Sequence, residues 1–235
     1  MFTFNAFRAI DEPELCEKFV VGHANVLKEY GVTKVTSSNN DWVTNPYVFV
    51  VTVQDDSSGN VVSGLRIHIS HEDYPLPLET AIMRVDNRIT DLVSRYREFG
   101  TGEIGGLWNS RAISGYGIGA LFLSRTSLVI AEQLNVKTLF ALCAEYTLKP
   151  TLQKGFEIEE QIGNKGTFFY PKLDLIATLA VLKDVKNLPL ALEEERNYIF
   201  ELRKNLKSIR EEQTPKGLIE IKYNLKIENP DWRSK

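Results

Sequence analysis

Residues 103–156 read EIGGLWNSRAISGYGIGALFLSRTSLVIAEQLNVKTLFALCAEYTLKPTLQKGF, and this stretch decides the fold. A short strand over Glu103–Trp108 leads into a glycine-rich loop at Ser114–Gly119, and a helix with one apolar side begins inside or just after that loop. The apolar segment Lys137–Cys143 is typical of a second strand. Glycines let successive backbone N–H groups turn toward one anion, and a helix N-terminus adds its dipole. The pattern therefore predicts a phosphate-binding loop between two strands of an α/β domain.

The end of this stretch predicts a short helix. Thr147 is expected to cap it, Pro150 to lie in its first turn, and Gly155 to end it. Two common phosphate-loop patterns do not fit the sequence: it lacks GxxxxGK[ST], and the loop glycines are spaced by two, out of register with GxGxxG. The phosphate loop is therefore of another kind.

The N-terminal half alternates strand and helix signals. Phe2–Ile10 is predicted to be a strand, and a helix starting after Asp11 is predicted to end at Gly31. Tyr47–Val53 and Val61–Ile69 flank turn-forming residues and predict a hairpin. Residues 78–99 have a helical period and predict one long helix.

The C-terminal part continues the mixed pattern. Two strands are predicted at Phe156–Ile162 and Phe168–Leu182, then a charged helix at Leu190–Glu212 and a strand at Gly217–Ile227. We therefore expect one α/β domain over residues 1–189. Residues 190–235 form a helix–strand extension that packs on the same domain or on a partner subunit, as in a homodimer.

Composition narrows the class of protein. The 235 residues are 43% hydrophobic and carry a net charge of −3, which excludes a disordered chain and argues against a nucleic-acid partner. Two cysteines and three histidines give no signal for a metal site. No apolar run reaches the ~20 residues that span a bilayer, and the N-terminus does not resemble a signal peptide. A cytoplasmic location is therefore expected.

The glycine loop resembles the acyl-CoA signature [QR]xxGx[GA] of the GNAT superfamily of N-acyltransferases. Gly117 and Gly119 match its two glycines, Gly115 matches a frequent extra one, and Gly155-Phe156 matches the end of the family's fourth helix. Ser114 departs from the signature, since the family has Gln or Arg there. The resemblance implies a mostly antiparallel mixed sheet flanked by helices. It also implies transfer of an acetyl or longer acyl group from acyl-CoA to a primary amine of a small molecule.

The N-terminal half is similar to the autoinducer-synthase and N-acyl amino acid synthase branch of that superfamily. The motifs are FRAIDEPEL at 7–15, SGLRIHIS at 63–70 and PLPLE at 75–79, together with Glu103 followed by Ser110-Arg111. The resemblance to this branch implies an acyl-carrier protein as an alternative acyl donor to CoA.

The resemblance also implies residues for the donor site. The backbone of the strand end would pair with the pantetheine amides, and the loop would hold the pyrophosphate. The implied cofactor-binding residues are Leu107, Trp108, Asn109, Ser114, Gly115, Gly117, Ile118, Gly119 and Ala120.

Glu103 is the candidate general base, because a carboxylate with a raised pKa can take a proton from an ammonium. The alternative is a solvated acid at a strand end. The family's usual acid, a Tyr four residues before Gly-Phe, is replaced by Thr151. Tyr146 lies nearby and is the remaining candidate acid, although it could simply pack.

Arg66 and Arg111 are candidates to hold a carboxylate or phosphate of the substrate. Both also fit structural roles, and Arg111 fits a surface charge beside the loop equally well. His68 and His71 are expected to be exposed. Because the signature is altered at Ser114 and the usual Tyr is missing, a non-catalytic acyl-CoA or metabolite-binding protein is the alternative function.

Overall fold

The computed structural model describes residues 1–29, 40–170 and 175–233. Within these residues the chain forms ten strands, all in one sheet. The strands are β1 (Phe2–Arg8), β2 (Val48–Asp55), β3 (Asn60–Ile69), β4 (Thr101–Asn109), β5 (Thr138–Ala144), β6 (Glu157–Ile158), β7 (Thr167–Phe169), β8 (Ile176–Leu182), β9 (Lys207–Thr214) and β10 (Gly217–Asn224).

Six α-helices accompany the sheet in the same residues. They are α1 (Pro13–Glu29), α2 (Pro77–Ile82), α3 (Arg88–Arg97), α4 (Ser124–Gln133), α5 (Glu145–Gln153) and α6 (Glu193–Lys204). A π-helical turn over Ile118–Leu123 leads directly into α4. The predicted end of the first helix at Gly31 lies outside the described residues.

The strand order is β6-β8-β5-β4-β3-β2-β1-β10-β9, and β7 also pairs with β8. Only two of the neighbouring pairs in this sheet are parallel, β4 with β5 and β1 with β10. The sheet is therefore mixed and mostly antiparallel, as the resemblance implied.

The two faces of the sheet bury different side chains, because successive residues of a strand point to opposite faces. On β3, Leu65, Ile67 and Ile69 join the large core that contains α4 and α6. Gly64, Arg66 and His68 point to the other face, where α1 lies close. Phe19 of α1 fills the space above Gly64, which has no side chain of its own. The side chains of Arg66 and His68 are thus enclosed between the sheet and the N-terminal helix.

The predicted helix over residues 78–99 is wrong, because the chain forms two helices here. The break is stabilised by Asp86, whose carboxylate accepts hydrogen bonds from the backbone N–H of Arg88 at 3.1 Å and of Gly163 at 2.8 Å. Val85, predicted on the apolar side of the helix, is exposed. Asp86 therefore marks the start of a second helix, α3, and connects this start to the loop before β7 by a hydrogen bond.

The short helix α5 begins earlier than predicted. Its N-cap is Ala144, and the Thr147 hydroxyl donates a hydrogen bond to the Ala144 carbonyl at 2.9 Å from within the helix. Pro150 lies inside the helix, past the first turn. Gly155 follows the helix with a φ of +95°, a conformation that favours glycine. The predicted end of this helix is therefore correct, whereas its start and the role of Thr147 were wrong.

The strand predictions after α5 are correct only in part. The segment predicted as Phe156–Ile162 contributes just the two residues of β6, and the segment Phe168–Leu182 contains β8 and all but the first residue of β7. Residues 171–174, between these two strands, lie outside the described part of the chain.

The predicted helix over Leu190–Glu212 ends at Lys204, and Lys207–Thr214 forms strand β9. A tight turn joins β9 to β10, and their antiparallel pairing runs from Gly217↔Thr214 to Asn224↔Lys207. Pairing with a neighbouring strand here outweighs the helix propensity of the charged sequence KSIREEQT. The predicted final strand is correct, and its pairing with β1 makes the extension part of the same sheet.

In the described residues, no helix is both long enough and apolar enough to cross a lipid bilayer.

Candidate active site

Strands β4 and β5 pair only at their beginnings. Their parallel ladder runs from Thr101↔Thr138 to Ile104↔Ala141, although β4 continues to Asn109 and β5 to Ala144. The other edge of β5 remains paired with β8 along its length. The second half of β4 therefore separates from β5 and leaves a cleft in the sheet.

A β-bulge bends β4 at this cleft. Gly64 pairs with Trp108 and Arg66 pairs with Gly105, so that Gly106 and Leu107 together face one residue of β3. Gly106 has a φ of +60°, and a Cβ atom built on it would lie 2.6 Å from Nε and Nη2 of Arg66. Glycine is required at this position by both the backbone conformation and the close approach of Arg66.

The glycine loop follows β4 and ends at the π-helical turn. Gly115 and Gly117 have φ angles of +83° and +68°. The carbonyl of Gly117 accepts hydrogen bonds from the N–H groups of Leu121 and Phe122, at 2.9 and 3.4 Å. The first N–H groups of a helix have no partner within the helix, and here the backbone of Ile118, Gly119 and Ala120 forms that first turn. The loop thus places the first turn of this helix just after the end of β4, and anion binding there stays a prediction.

Asn109 links the end of β4 to this loop. Its side chain fills the space where Gly119 would otherwise carry a Cβ atom, and its Oδ1 accepts a hydrogen bond from the Ser63 hydroxyl at 2.6 Å. Trp108 points the other way and is buried against Phe19 and His23 of α1. The side chain of Trp108 therefore belongs to the core, and the backbone of Leu107–Asn109 lies along the cleft.

Glu103 lies on β4 just before the separation and is 5% exposed. Its Oε2 accepts a hydrogen bond from the N–H of Leu78 at 2.7 Å, and its Oε1 lies 3.5 Å from the position of a Cβ at Gly105. Burial raises the pKa of this carboxyl to about 8, against the opposing effects of the Leu78 N–H and the charge of Arg66. The alternative interpretation as a solvated strand-end acid does not describe this side chain.

Arg66 and His68 lie on the same face as Glu103, since His68 pairs with Glu103 and Arg66 with Gly105. Both line a cavity of about 310 Å³ between β3, Trp42 and the start of α2 with the residues before it. The guanidinium of Arg66 lies 4.5 Å from the centre of the Trp42 ring, and burial lowers its pKa to about 10, so it is charged at neutral pH. Asp41 and Asp73 also line the cavity, which thus offers groups of both charges.

The remaining predicted site residues lie at the surface or in α5. Arg111 forms an ion pair with Glu29 at 3.3 Å. Tyr146, at the start of α5, is 85% exposed, so it does not pack against the core. Thr151 donates a hydrogen bond to the carbonyl of Thr147 at 2.8 Å. Binding or catalysis by Arg111 and Tyr146 stays a prediction.

Two buried polar residues beside Glu103, His68 and Glu79, were not predicted as site residues. His68, expected to be exposed, is buried, and its Nε2 has no hydrogen-bond partner in the described residues. Burial, with the nearby charge of Arg66, lowers its pKa well below the usual value. Glu79 is buried in α2, where it accepts a hydrogen bond from the N–H of Leu76 at 2.8 Å. The position of His68 two residues after Arg66 was a signal, because alternate residues of a strand share a face.

No protein-family model and no curated protein matches this sequence. Solved structures do match it. FeeM, an N-acyl amino acid synthase from uncultured soil microbes, has a TM-score of 0.60 at 14% identity over 82% of this chain and 96% of its own. BjaI, a CoA-dependent acyl-homoserine lactone synthase solved with SAM and isopentyl-CoA, has a TM-score of 0.54 at 10% identity, over 87% of this chain and 90% of its own.

A third similar structure is that of the mosquito arylalkylamine N-acetyltransferase like 5b. It has a TM-score of 0.54 at 12% identity, with coverage of 77% of this chain and 99% of its own. Identities this low establish a shared fold and nothing finer. The chain therefore has the fold of the GNAT acyl-CoA N-acyltransferases, as its glycine loop predicted.

Proposed function

We propose that this protein is an N-acyltransferase that moves an acyl group from acyl-CoA to a primary amine of a small molecule. The observation that carries the proposal is the buried carboxyl of Glu103 at the point where β4 leaves β5, with a glycine loop at the far end of the same cleft. The likeness to FeeM, BjaI and the arylalkylamine enzyme supports the same class of reaction.

In the proposed donor site, the extended acyl-CoA lies in the cleft. The backbone of Leu107–Asn109 would pair with the pantetheine amides, because this part of β4 has no ladder with β5. The N–H groups of the glycine loop and of the first helical turn would hold the pyrophosphate. The thioester would then lie near Glu103.

The proposed reaction transfers one acyl group and two protons. Glu103, in its ionised form, takes a proton from the acceptor ammonium, and the amine nitrogen then forms a bond to the thioester carbonyl carbon. The carbon–sulfur bond breaks, and CoA leaves as a thiolate that takes up the second proton of the amine. A raised pKa suits Glu103 to this role, because proton transfer works best when the pKa lies near the working pH.

The acceptor would occupy the cavity lined by Arg66 and His68. A carboxylate or phosphate on the acceptor would bind the guanidinium of Arg66, whose planar fork suits such groups. The unpartnered Nε2 of His68 is available for a hydrogen bond with the same molecule. A small amine that also carries an anionic group therefore fits this cavity best.

The proposal is tested by measuring thermal stabilisation by CoA and by acyl-CoAs of increasing chain length, and then turnover with a panel of amines. We expect CoA to raise the melting temperature and at least one acyl-CoA to be consumed, with free thiol released. Glu103→Gln should lower kcat by about 10²–10⁴-fold, the usual contribution of a general base, with CoA binding retained.

Glu220→Gln is the matched control, because Glu220 is an exposed glutamate on β10. It should change neither turnover nor binding. Absence of any stabilisation by CoA at millimolar concentration would refute a CoA donor, after which an acyl-carrier protein becomes the donor to test. Binding of CoA without turnover of any amine would instead support the non-catalytic binding protein.

A further inference from the structure

The turn between β9 and β10 lies against the glycine loop. A Cβ atom at Gly117 would be 3.8 Å from Cδ of Pro215. One at Gly115 would be 2.8 Å from Cε of Lys216 and 3.6 Å from its Nζ. The Lys216 ammonium also lies 4.7 Å from the centre of the Tyr116 ring. A cation from the C-terminal extension therefore stands beside the loop that would hold the pyrophosphate.

The turn is held in place by several interactions. The Thr214 hydroxyl donates a hydrogen bond to the Gly217 carbonyl at 2.7 Å and accepts one from the N–H of Lys216 at 3.1 Å. Gly217 has a φ of +105°, and β10 pairs with both β9 and β1. The sheet thus fixes the base of the Lys216 side chain relative to the glycine loop.

The neighbouring side chains Ser114 and Arg111 do not offer an unpaired positive charge to an anion bound in the loop. Ser114 is neutral, and Arg111 pairs with Glu29. Across residues 1–29, 40–170 and 175–233, no carboxylate forms an ion pair with the Lys216 ammonium. Backbone N–H groups carry only partial charges, so the Lys216 ammonium would supply a full positive charge to an anion bound in the loop.

We propose that Lys216 binds the diphosphate of CoA, so that the C-terminal extension completes the donor site. This inference rests on the proposed function. The ammonium acts as a point charge that the flexible side chain can bring to the phosphate oxygens. Lys216 thereby favours donors that carry the full diphosphate over donors that carry pantetheine alone.

The experiment compares CoA with pantetheine, which has the same thiol arm and no phosphate, by calorimetric titration of the purified protein. Lys216→Met should weaken CoA binding about two- to fivefold, the effect of one exposed ion pair, with pantetheine binding unchanged. Lys216→Arg should restore CoA binding, and added salt should reduce the difference between the wild type and Lys216→Met.

Lys222→Met is the matched control, because Lys222 is an exposed lysine of β10. It should bind CoA like the wild type. The inference would be overturned if Lys216→Met bound CoA as tightly as the wild type. It would also be overturned if Lys216→Met lost affinity for CoA and for pantetheine to the same extent, or if Lys222→Met lost as much affinity for CoA as Lys216→Met. Failure of the wild type to bind CoA at all would instead overturn the proposed function.

Discussion

At the scale of single residues, Glu103 combines a proposed catalytic role with a cost in stability. Its carboxyl has a pKa of about 8 in the folded protein, above the usual 4.5, because burial disfavours the charged form. Between these two pH values the unfolded chain has released this proton and the folded chain has not. The contribution of Glu103 to the free energy of unfolding is therefore full below pH 4.5 and is lost as the pH rises through 8.

Glu103→Gln should remove this pH dependence. We expect the variant to gain stability relative to the wild type as the pH rises from 5 to 9, because its side chain never has to ionise in the core. Urea unfolding across this pH range measures the difference. If the difference in the free energy of unfolding between the two proteins stayed constant from pH 5 to 9, the raised pKa of Glu103 would be contradicted. The control Glu220→Gln should differ from the wild type by the same amount at every pH.

The same pKa predicts how activity depends on pH. Turnover should rise as the pH increases through about 8 and then level off, because only the ionised carboxylate of Glu103 can accept a proton from the substrate. The pH profile of kcat/KM for the best acyl-CoA and amine pair measures this. A profile that is flat from pH 6 to 9 would be evidence against Glu103 as the base.

Gly106 illustrates a constraint that comes from one neighbour. Gly106→Ala should destabilise the fold by about 2–3 kcal/mol, because the Cβ atom would meet both a positive φ and the Arg66 guanidinium. Gly59→Ala is the control, since Gly59 has a φ of +71° and open space around it. This variant should lose only about 1 kcal/mol in the free energy of unfolding. Equal losses in chemical denaturation would show that Arg66 does not crowd this position.

At the scale of elements, a buried cluster of charged side chains joins α4, α6 and the end of α5. Glu195 of α6 accepts two hydrogen bonds from Arg125 of α4, at 2.6 and 2.9 Å, and Lys154 lies 3.7 Å away. Glu195→Ala should cost about 3–5 kcal/mol of stability, because two buried cations lose their partner. Exposed Glu193 of the same helix provides the control, and Glu193→Ala should change the unfolding midpoint little.

The elements also show what a sequence can predict. The β2–β3 hairpin was predicted because its turn residues, 55–60, carry a local signal between two β-branched segments. Strand β9 was missed because its sequence is charged and favours a helix, and only pairing with β10 makes it a strand. The break before α3 was missed because the Asp86 carboxylate that starts α3 also binds the distant N–H of Gly163.

At the scale of the whole molecule, the site is assembled from segments that are far apart in the sequence. The segment 103–156 is continuous in the sequence, so its resemblance to the acyl-CoA signature was visible there and implied the fold. The alignment of Arg66 and His68 with Glu103 depends on the register between β3 and β4, which no local pattern specifies. Lys216 reaches the loop only because β10 pairs with β1, next to the edge strand β9. These nonlocal relations are the part that the sequence could not predict.

The C-terminal strands are expected to be essential to the whole fold. Deletion of residues 205–235 would remove Ile221 and Tyr223 from the core and leave β1 at an edge. We expect such a chain to lose its cooperative thermal transition and to aggregate, as measured by circular dichroism and gel filtration. Deletion of residues 229–235 keeps β10 and should preserve the transition, whereas a stable, monomeric protein after the longer deletion would refute this role.

The pairing of β1 with β10 has a consequence during protein synthesis. Asn5 and Asn224 lie 219 positions apart in the chain, yet their side chains form a hydrogen bond across the two strands. At the ribosome's rate of about 5–20 residues per second, β1 waits on the order of tens of seconds for its neighbour. During that time one side of β1 has free backbone N–H and C=O groups, so the nascent chain is most open to mispairing and to chaperone binding at its N-terminal strand.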